Sequence, residues 1–93
     1  MKSILQDKKE CFVTHREYGL HKHHIYGGAN RRISEQHGFF IYLIPELHNM
    51  SDKGIHFNKD FDLEVKQLCQ REYEKTHTRA EFMALIGRNY IDD

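Results

Sequence analysis

Histidine is the residue type that most constrains what this chain can form. Eight of its 93 residues are histidines, and six of these lie between His15 and His48. Neutral imidazole ligates transition metals, and imidazole exchanges protons near neutral pH. The clustering therefore makes a metal site or a proton-transfer site the first hypothesis for function.

Length and sequence pattern predict one domain without a membrane partner. A chain of 93 residues is too short for two domains, so we expect one over residues 1–93, with residues 1–9 as a flexible N-terminal lead. No apolar run approaches the roughly 20 residues that cross a bilayer. Residues 1–10 lack the apolar stretch of a signal peptide. A cytoplasmic protein is therefore expected.

Cysteine usage and charge exclude some classes of site. Cys11 and Cys69 match no zinc-knuckle spacing and no disulfide framework, so we expect free thiols, with Cys69 in the core. Lys plus Arg and Asp plus Glu both total 14, which gives a net charge of zero. Non-specific DNA binding normally uses a basic surface. Charge alone therefore does not indicate a nucleic-acid partner.

Hydrophobic periodicity predicts an α+β fold. Residues 11–14 and 20–26 are predicted to be the strands of a β-hairpin, and the apolar run over residues 39–44 predicts a buried strand. Asn30 is a suitable N-cap for a short helix that Gly38 ends. A loop or a single helical turn is expected between that buried strand and the C-terminal half of the chain.

Two C-terminal helices complete the prediction. The first covers residues 59–75, and the second runs from a capping box at Thr78 to Gly87. The sequence leaves the oligomeric state open; if the chain forms a homodimer, the apolar stripes of these two helices are its expected contact surface. The residues predicted to point inward are Phe61, Val65, Leu68, Cys69, Phe82, Leu85 and Ile86.

Histidines at separated positions form the candidate site. A metal ion that hydrolyses phosphodiesters needs a few fixed ligands and a separate base that takes a proton from water. His23 and His24 lie on a predicted strand, where neighbouring side chains point to opposite faces. They can have different roles if the backbone bends or the site wraps around the strand end. His48 and His56 follow on the predicted loop; the alternative is a set of unrelated surface histidines.

The surroundings of these histidines resemble the small HNH-type (ββα-metal) proteins of bacteriophages and prophages. The resemblance covers roughly residues 10–91. It implies a ββα-metal core within the α+β fold. The motifs that carry it are His23-His24-Ile25-Tyr26-Gly27-Gly28, Asn30-Arg31, the apolar strand, His48-Asn49, Gly54-Ile55-His56 and Ile86-Gly87-Arg88-Asn89-Tyr90.

The resemblance implies a role for each residue that matches the family's motif. His23, His48 and His56 would hold one divalent cation, Mn²⁺, Zn²⁺, Ni²⁺ or Mg²⁺, and His24 would be the general base. Asn30 is the nearest upstream counterpart of the family's middle asparagine, and it is assigned to the catalytic set. Many relatives hold a structural zinc between paired Cys-x-x-Cys motifs, which this sequence lacks, so none is expected.

The implied activity is metal-dependent hydrolysis of DNA phosphodiester bonds, in phage recombination or DNA processing within the cytoplasm of a bacterial host. Arg31 and Arg32, at the start of the short helix, would bind phosphates; a solvated helix face is the alternative. A second hypothesis is a non-catalytic module of the same fold that binds nucleic acid or inhibits a host protein. A third is a structural protein with incidental histidines, which would bind no metal.

Overall fold

Two strands and four α-helices make up the regular structure of residues 1–91, the part of the chain that the computed structural model describes. The chain is a small α+β protein, as predicted. Two single 3-10 turns, Gly28–Asn30 and Ile55–Phe57, each come shortly before an α-helix. The elements are β1 (His21–His24), α1 (Arg31–His37), β2 (Phe40–Leu43), α2 (Pro45–His48), α3 (Lys59–Tyr73) and α4 (Arg79–Ile86).

The strands β1 and β2 form an antiparallel pair in which His23 lies opposite Ile41. The predicted hairpin between residues 11–14 and 20–26 is therefore wrong. Cys11 makes only an isolated bridge to Tyr42, and the residues after it form a turn. This turn is closed locally, because the Cys11 carbonyl accepts from the His15 amide at 2.9 Å. The apolar run of β2 offers β1 a buried partner that residues 11–14 do not.

Helix α1 connects the two strands along the chain, and it begins and ends at the residues that the sequence predicts. Arg31 follows Asn30, and Gly38 ends the helix with a φ of 75°, a conformation that favours glycine. The Asn30 side chain does not cap the helix; its amide donates to the Ile86 carbonyl at 2.9 Å. Buried Ser34 holds α1 to the end of β1, because its hydroxyl donates to the Tyr26 carbonyl at 2.7 Å.

The N-terminal segment, expected to be a flexible lead, contacts the region of β2. The Ile4 amide donates to the Gly38 carbonyl at 2.9 Å. The Gln6 side-chain oxygen accepts from the Tyr42 amide at 2.8 Å. The approach to Gly38 is close: a Cβ there would lie 2.2 Å from the Lys2 carbonyl oxygen. The segment therefore occupies a defined place in the fold.

Helix α3 confirms the predicted element but not all of its inward face. Val65 and Cys69 are buried as predicted, whereas Leu68 is 39% exposed, so its predicted burial is wrong. The buried face is turned toward Gln70, which is fully buried. The Gln70 side-chain oxygen accepts from the Tyr90 amide at 2.9 Å. This pairing with the C-terminal segment orients α3 and leaves Leu68 on the outside.

Helix α4 closes an aromatic core. Its capping box at Thr78 and Glu81 is present, and Gly87 ends it in the left-handed conformation. Phe82 and Ile86 are buried, and Leu85 is half-buried. Phe82 lies among Tyr26, Phe39 and Tyr73, with ring centroids 5.5 to 6.4 Å apart. This core lies beyond the end of β1, whose histidines are buried at position 23 and half-buried at positions 21 and 24.

None of the helices within residues 1–91 combines the length and the apolar content that crossing a bilayer requires.

Candidate metal centre

Three imidazoles converge at one edge of the sheet, where they could hold a metal ion. His23 comes from β1, His48 ends α2, and His56 lies in the 3-10 turn before α3. One nitrogen from each lies within 4.8 Å of the others. The Nε2 atoms of His48 and His56 are 3.0 Å apart. All three predicted metal ligands are therefore brought together, although the chain separates them widely.

Gly54 explains how the eight residues from His48 to His56 close into one site. The loop folds back on itself, with the Gly54 amide donating to the Ser51 carbonyl at 3.0 Å. The Ser51 hydroxyl donates to the Glu46 carbonyl at 2.7 Å and ties the loop to α2. A Cβ on Gly54 would lie 2.7 Å from the His48 carbonyl oxygen. Only glycine permits this approach, which returns His56 to the side of His48.

His23 is the buried member of the cluster, with only 5% of its surface exposed. Its Nε2 atom has no hydrogen-bond partner among residues 1–91. Burial, reinforced by the nearby His48 and His56, lowers the pKa of His23 to about 3. The ring is therefore neutral at physiological pH, with a buried nitrogen that lacks a protein partner. A buried imidazole nitrogen without a protein partner, on a ring beside those of His48 and His56, is a group that a divalent cation could satisfy.

His48 is held from its other side by a fourth histidine. The Nδ1 atoms of His21 and His48 are 3.0 Å apart, and burial followed by the proximity of His56 lowers the pKa of His48 to about 4. If Nε2 of neutral His48 is a ligand, its proton lies on Nδ1, which then donates to His21. Metal-binding histidines commonly donate their second N–H in this way, which fixes their orientation.

His24 lies on the opposite face of β1 from His21 and His23, as the strand pattern predicts. Its Nε2 atom lies 3.0 Å from a carboxylate oxygen of Glu35 in α1. Lys22, on the same face, places its Nζ 3.2 and 3.3 Å from the two oxygens of that carboxylate. The predicted base is thus outside the ligand cluster but adjacent to it in sequence.

Two cavities flank the cluster. One, of about 270 Å³, is lined by His23, His24 and His56 together with residues of α3. The other, of about 260 Å³, is lined by the same three histidines, His48 and Arg31, among others. Both open to solvent, so the ligand nitrogens and His24 share space that water or a small anion can enter.

The remaining predicted site residues lie at different distances from this cluster. Arg31 lines the cavity beside the ligands. Arg32 lines a neighbouring cavity with His24 and Glu35. Asn30 is committed to the Ile86 carbonyl and does not contact the histidines. Of the two arginines predicted to bind phosphate, Arg31 is thus the one that shares a cavity with His48 and His56.

Sequence reasoning missed two residues that contact the site, His21 and Glu35. Both had a signal in the sequence. His21 shares the period-two face of His23, so it was expected to point the same way. Glu35 is the only carboxylate between Glu17 and Glu46. The other three histidines make contacts elsewhere: His15 with Glu10, His37 with Phe39 and His77 with Tyr73.

The close approach at Gly54 predicts a local loss of metal binding in Gly54→Ala. The added methyl forces the loop away from the His48 carbonyl and separates His56 from His48. Zn²⁺ affinity, measured by competition with a chromophoric chelator, should fall at least about tenfold. Gly27→Ala is the matched control, because a Cβ there meets nothing within 4 Å. Equal affinity in wild type and Gly54→Ala would contradict this account of the loop.

The His21–His48 contact predicts that His21→Ala weakens Zn²⁺ binding by about tenfold, since His48 loses the group that orients its ring. His21→Asn should restore most of the affinity, because its side-chain oxygen can accept the same N–H. Lys22→Ala, one residue along on the opposite face, should bind Zn²⁺ as wild type does. Failure of asparagine to restore binding would argue for a packing role instead.

The lowered pKa values predict that the metal-free protein loses stability in acid. The unfolded chain takes up these protons near the ordinary pKa of 6.5, whereas folded His23 and His48 do so only near about 3 and about 4. The unfolded state therefore binds more protons below 6.5, and the free energy of unfolding falls as pH falls from about 6.5 to about 4. His23 alone contributes a slope approaching about 1.4 kcal/mol per pH unit.

Denaturant titrations of chelator-treated protein at several pH values measure this slope. His23→Gln should give a shallower slope than wild type, because the group that resists protonation is gone. A slope unchanged in His23→Gln would show that other groups cause the acid sensitivity.

Comparison of the chain with protein-family models, with curated proteins and with solved structures finds no match. The resemblance to HNH-type proteins therefore stays a prediction, carried by the residues named above. The geometry itself shows that three imidazoles could hold a metal ion: one nitrogen of each lies within 4.8 Å of the others, and Nε2 of buried His23 has no partner among residues 1–91.

Proposed function

We propose that this protein is a metal-dependent endonuclease of the HNH type that hydrolyses DNA phosphodiester bonds. The observation that carries the proposal is the convergence of His23, His48 and His56 beside a further histidine, His24, that is not part of the cluster. A hydrolytic metal site needs both parts: ligands that fix the ion and a separate base.

The ligand set suits the proposed chemistry. His23, His48 and His56 would hold the ion through neutral nitrogens, so its charge stays undiminished for an incoming phosphate. When bound, such a cation polarises the scissile phosphate and stabilises the leaving oxygen. Imidazole ligation favours Zn²⁺, Ni²⁺ or Mn²⁺ over Mg²⁺, which prefers oxygen.

The location of His24 supports its assignment as the general base. It lines both cavities beside the cluster, together with His23 and His56. Its side chain is 14% exposed, so water can reach it. In the sequence it directly follows His23, one of the proposed ligands. Its role is to accept the proton of the attacking water.

Positive charge near the cluster supports a phosphate-bearing substrate in spite of the zero net charge. Arg31 lines one cavity beside the ligands. Lys59 and Lys66 line the other, where Lys66 is paired with Asp62 at 2.7 Å. Phosphate contacts depend on the local positions of basic side chains rather than on net charge, and these three side chains line the cavities beside the histidines. DNA bound here would place its backbone over the histidines.

A non-catalytic binding module of the same fold is the second candidate, and one observation favours it. Asn30 is the residue assigned as the family's middle asparagine. Its side-chain amide donates to the Ile86 carbonyl and joins the start of α1 to the end of α4. That contact is structural. A chain that keeps the metal ligands but lacks this asparagine's role could bind nucleic acid or a host protein without cutting.

Plasmid nicking with Mn²⁺ distinguishes the two candidates. Wild type should convert supercoiled DNA to the nicked form, and His24→Ala should be slower by about 100-fold or more, because loss of a general base removes that factor. His24→Ala should bind Zn²⁺ as wild type does. His15→Asn is the matched control, since His15 is exposed and contacts only Glu10 outside its own turn. Equal cleavage by wild type and His24→Ala would refute the base assignment, and no cleavage by wild type would favour the binding module.

A further inference from the structure

We propose that Glu35 is the positioning residue for His24: its carboxylate accepts the Nε2–H of the imidazole and thereby leaves Nδ1 as the atom that takes the proton from water. This inference rests on the proposed nuclease function for its catalytic consequence. The hydrogen bond itself can be tested without any activity.

The contact that carries the proposal joins two separate elements. His24 ends β1 and Glu35 lies in α1, and their Nε2 and Oε1 atoms are 3.0 Å apart. The His24 side chain is 14% exposed and that of Glu35 is 47% exposed. The carboxylate therefore covers the imidazole from the solvent side. An exposed carboxylate at this distance restricts the ring without enclosing it.

The carboxylate is itself held in place. Lys22 lies on the same face of β1, and its Nζ lies within 3.3 Å of both Glu35 oxygens. That ammonium also lies 4.3 Å from the centre of the Phe40 ring, which anchors it on β2. The hydrogen bond from His24, and next the one from Lys22, hold the pKa of Glu35 below its usual value. Glu35 is thus an ionised acceptor throughout the neutral range.

An ionised carboxylate settles which nitrogen of His24 carries the proton. A carboxylate accepts hydrogen bonds and has none to donate, so a neutral imidazole beside it must place its N–H on the facing atom, Nε2. The lone pair then lies on Nδ1. Without such a partner, the two tautomers of a neutral histidine are close in energy, and part of the population would have Nδ1 blocked by a proton.

The contact with Glu35 occupies Nε2 of His24 and leaves Nδ1 for water in the cavity beside the candidate ligands. His24 lies between two cavities: one that it lines with Glu35 and Arg32, and one that it lines with His23 and His56. Because Nε2 is occupied on the Glu35 side, Nδ1 is the nitrogen left for the cavity that holds the ligands. A water molecule in that cavity would meet a lone pair rather than an N–H.

The step balances with His24 as the proton acceptor and solvent as the proton donor. The water oxygen forms a new bond to phosphorus, its proton passes to Nδ1, and the bond from phosphorus to the leaving oxygen breaks. The leaving oxygen takes its proton from solvent. The imidazolium formed at His24 lies against the Glu35 carboxylate, whose negative charge stabilises it.

The competing explanation is an ordinary surface ion pair, which contributes little to stability. It predicts no preference for one tautomer and no effect on turnover. Glu35 is well suited to a test between the two, because it is exposed on a helix where alanine is a favourable residue. Gln36, the next residue of α1 and also exposed, provides the matched control as Gln36→Ala.

Nitrogen-15 NMR of the Zn²⁺-loaded full chain, at a pH where free imidazole is neutral, reports the tautomer of His24 directly. Wild type should show His24 protonated on Nε2. Glu35→Ala should show a mixture of tautomers or the Nδ1–H form. Glu35→Gln should keep the Nε2–H form, because the amide oxygen can still accept, and Gln36→Ala should match wild type. An Nδ1–H tautomer in wild type, or an unchanged tautomer in Glu35→Ala, would overturn the proposal.

Cleavage assays on the same variants test the catalytic consequence. In Glu35→Ala, kcat should fall at least about tenfold while Zn²⁺ affinity stays as in wild type. Glu35→Gln should lose less, and Gln36→Ala nothing. Turnover in Glu35→Ala equal to wild type would refute the positioning role. A wild type that cleaves no DNA contradicts the proposed nuclease function instead, and the tautomer measurement still decides the hydrogen bond separately.

Discussion

The burial of His23 is the constraint on which the rest of the site depends. A buried nitrogen without a hydrogen-bond partner destabilises a fold by about 1–3 kcal/mol, and Nε2 of His23 is such an atom among residues 1–91. The same burial keeps the ring neutral in the absence of any ion. His48 and His56 are brought to the same point by the tight turn at Gly54. The three imidazoles therefore lie where they could hold a cation, which would supply the partner that Nε2 of His23 lacks.

The alternation of side chains along β1 separates two kinds of chemistry within four residues. His21 and His23 point toward His48, where a metal ion would be held. Lys22 and His24 point toward Glu35, where a proton would be handled. Under the proposed function, this short strand would supply a metal ligand and a general base from adjacent positions. The antiparallel contact with the buried strand β2 keeps both faces in register.

Several predictions from local signals were correct, whereas the prediction of which strands pair was not. The capping box at Thr78, the terminal glycine at position 38 and the ligand histidines were all predictable, because their signals lie within a few residues or in residue type. The predicted partner strand of β1 was wrong, because strand pairing depends on burial that a local pattern does not report. The predicted burial of Leu68 was wrong because the buried side-chain amide of Gln70, and not the apolar stripe alone, orients α3. Glu35 was missed, although it is the only carboxylate between Glu17 and Glu46, because a local pattern does not report that α1 lies beside β1.

Anomalous diffraction at the zinc edge, from crystals of the wild-type chain grown with Zn²⁺, tests the central claim most directly. The account predicts one strong peak per chain, at about 2.0–2.1 Å from a nitrogen of each of His23, His48 and His56. It also predicts that the His24 ring remains outside the coordination sphere. A peak at other residues, or no peak among these three histidines, would contradict it.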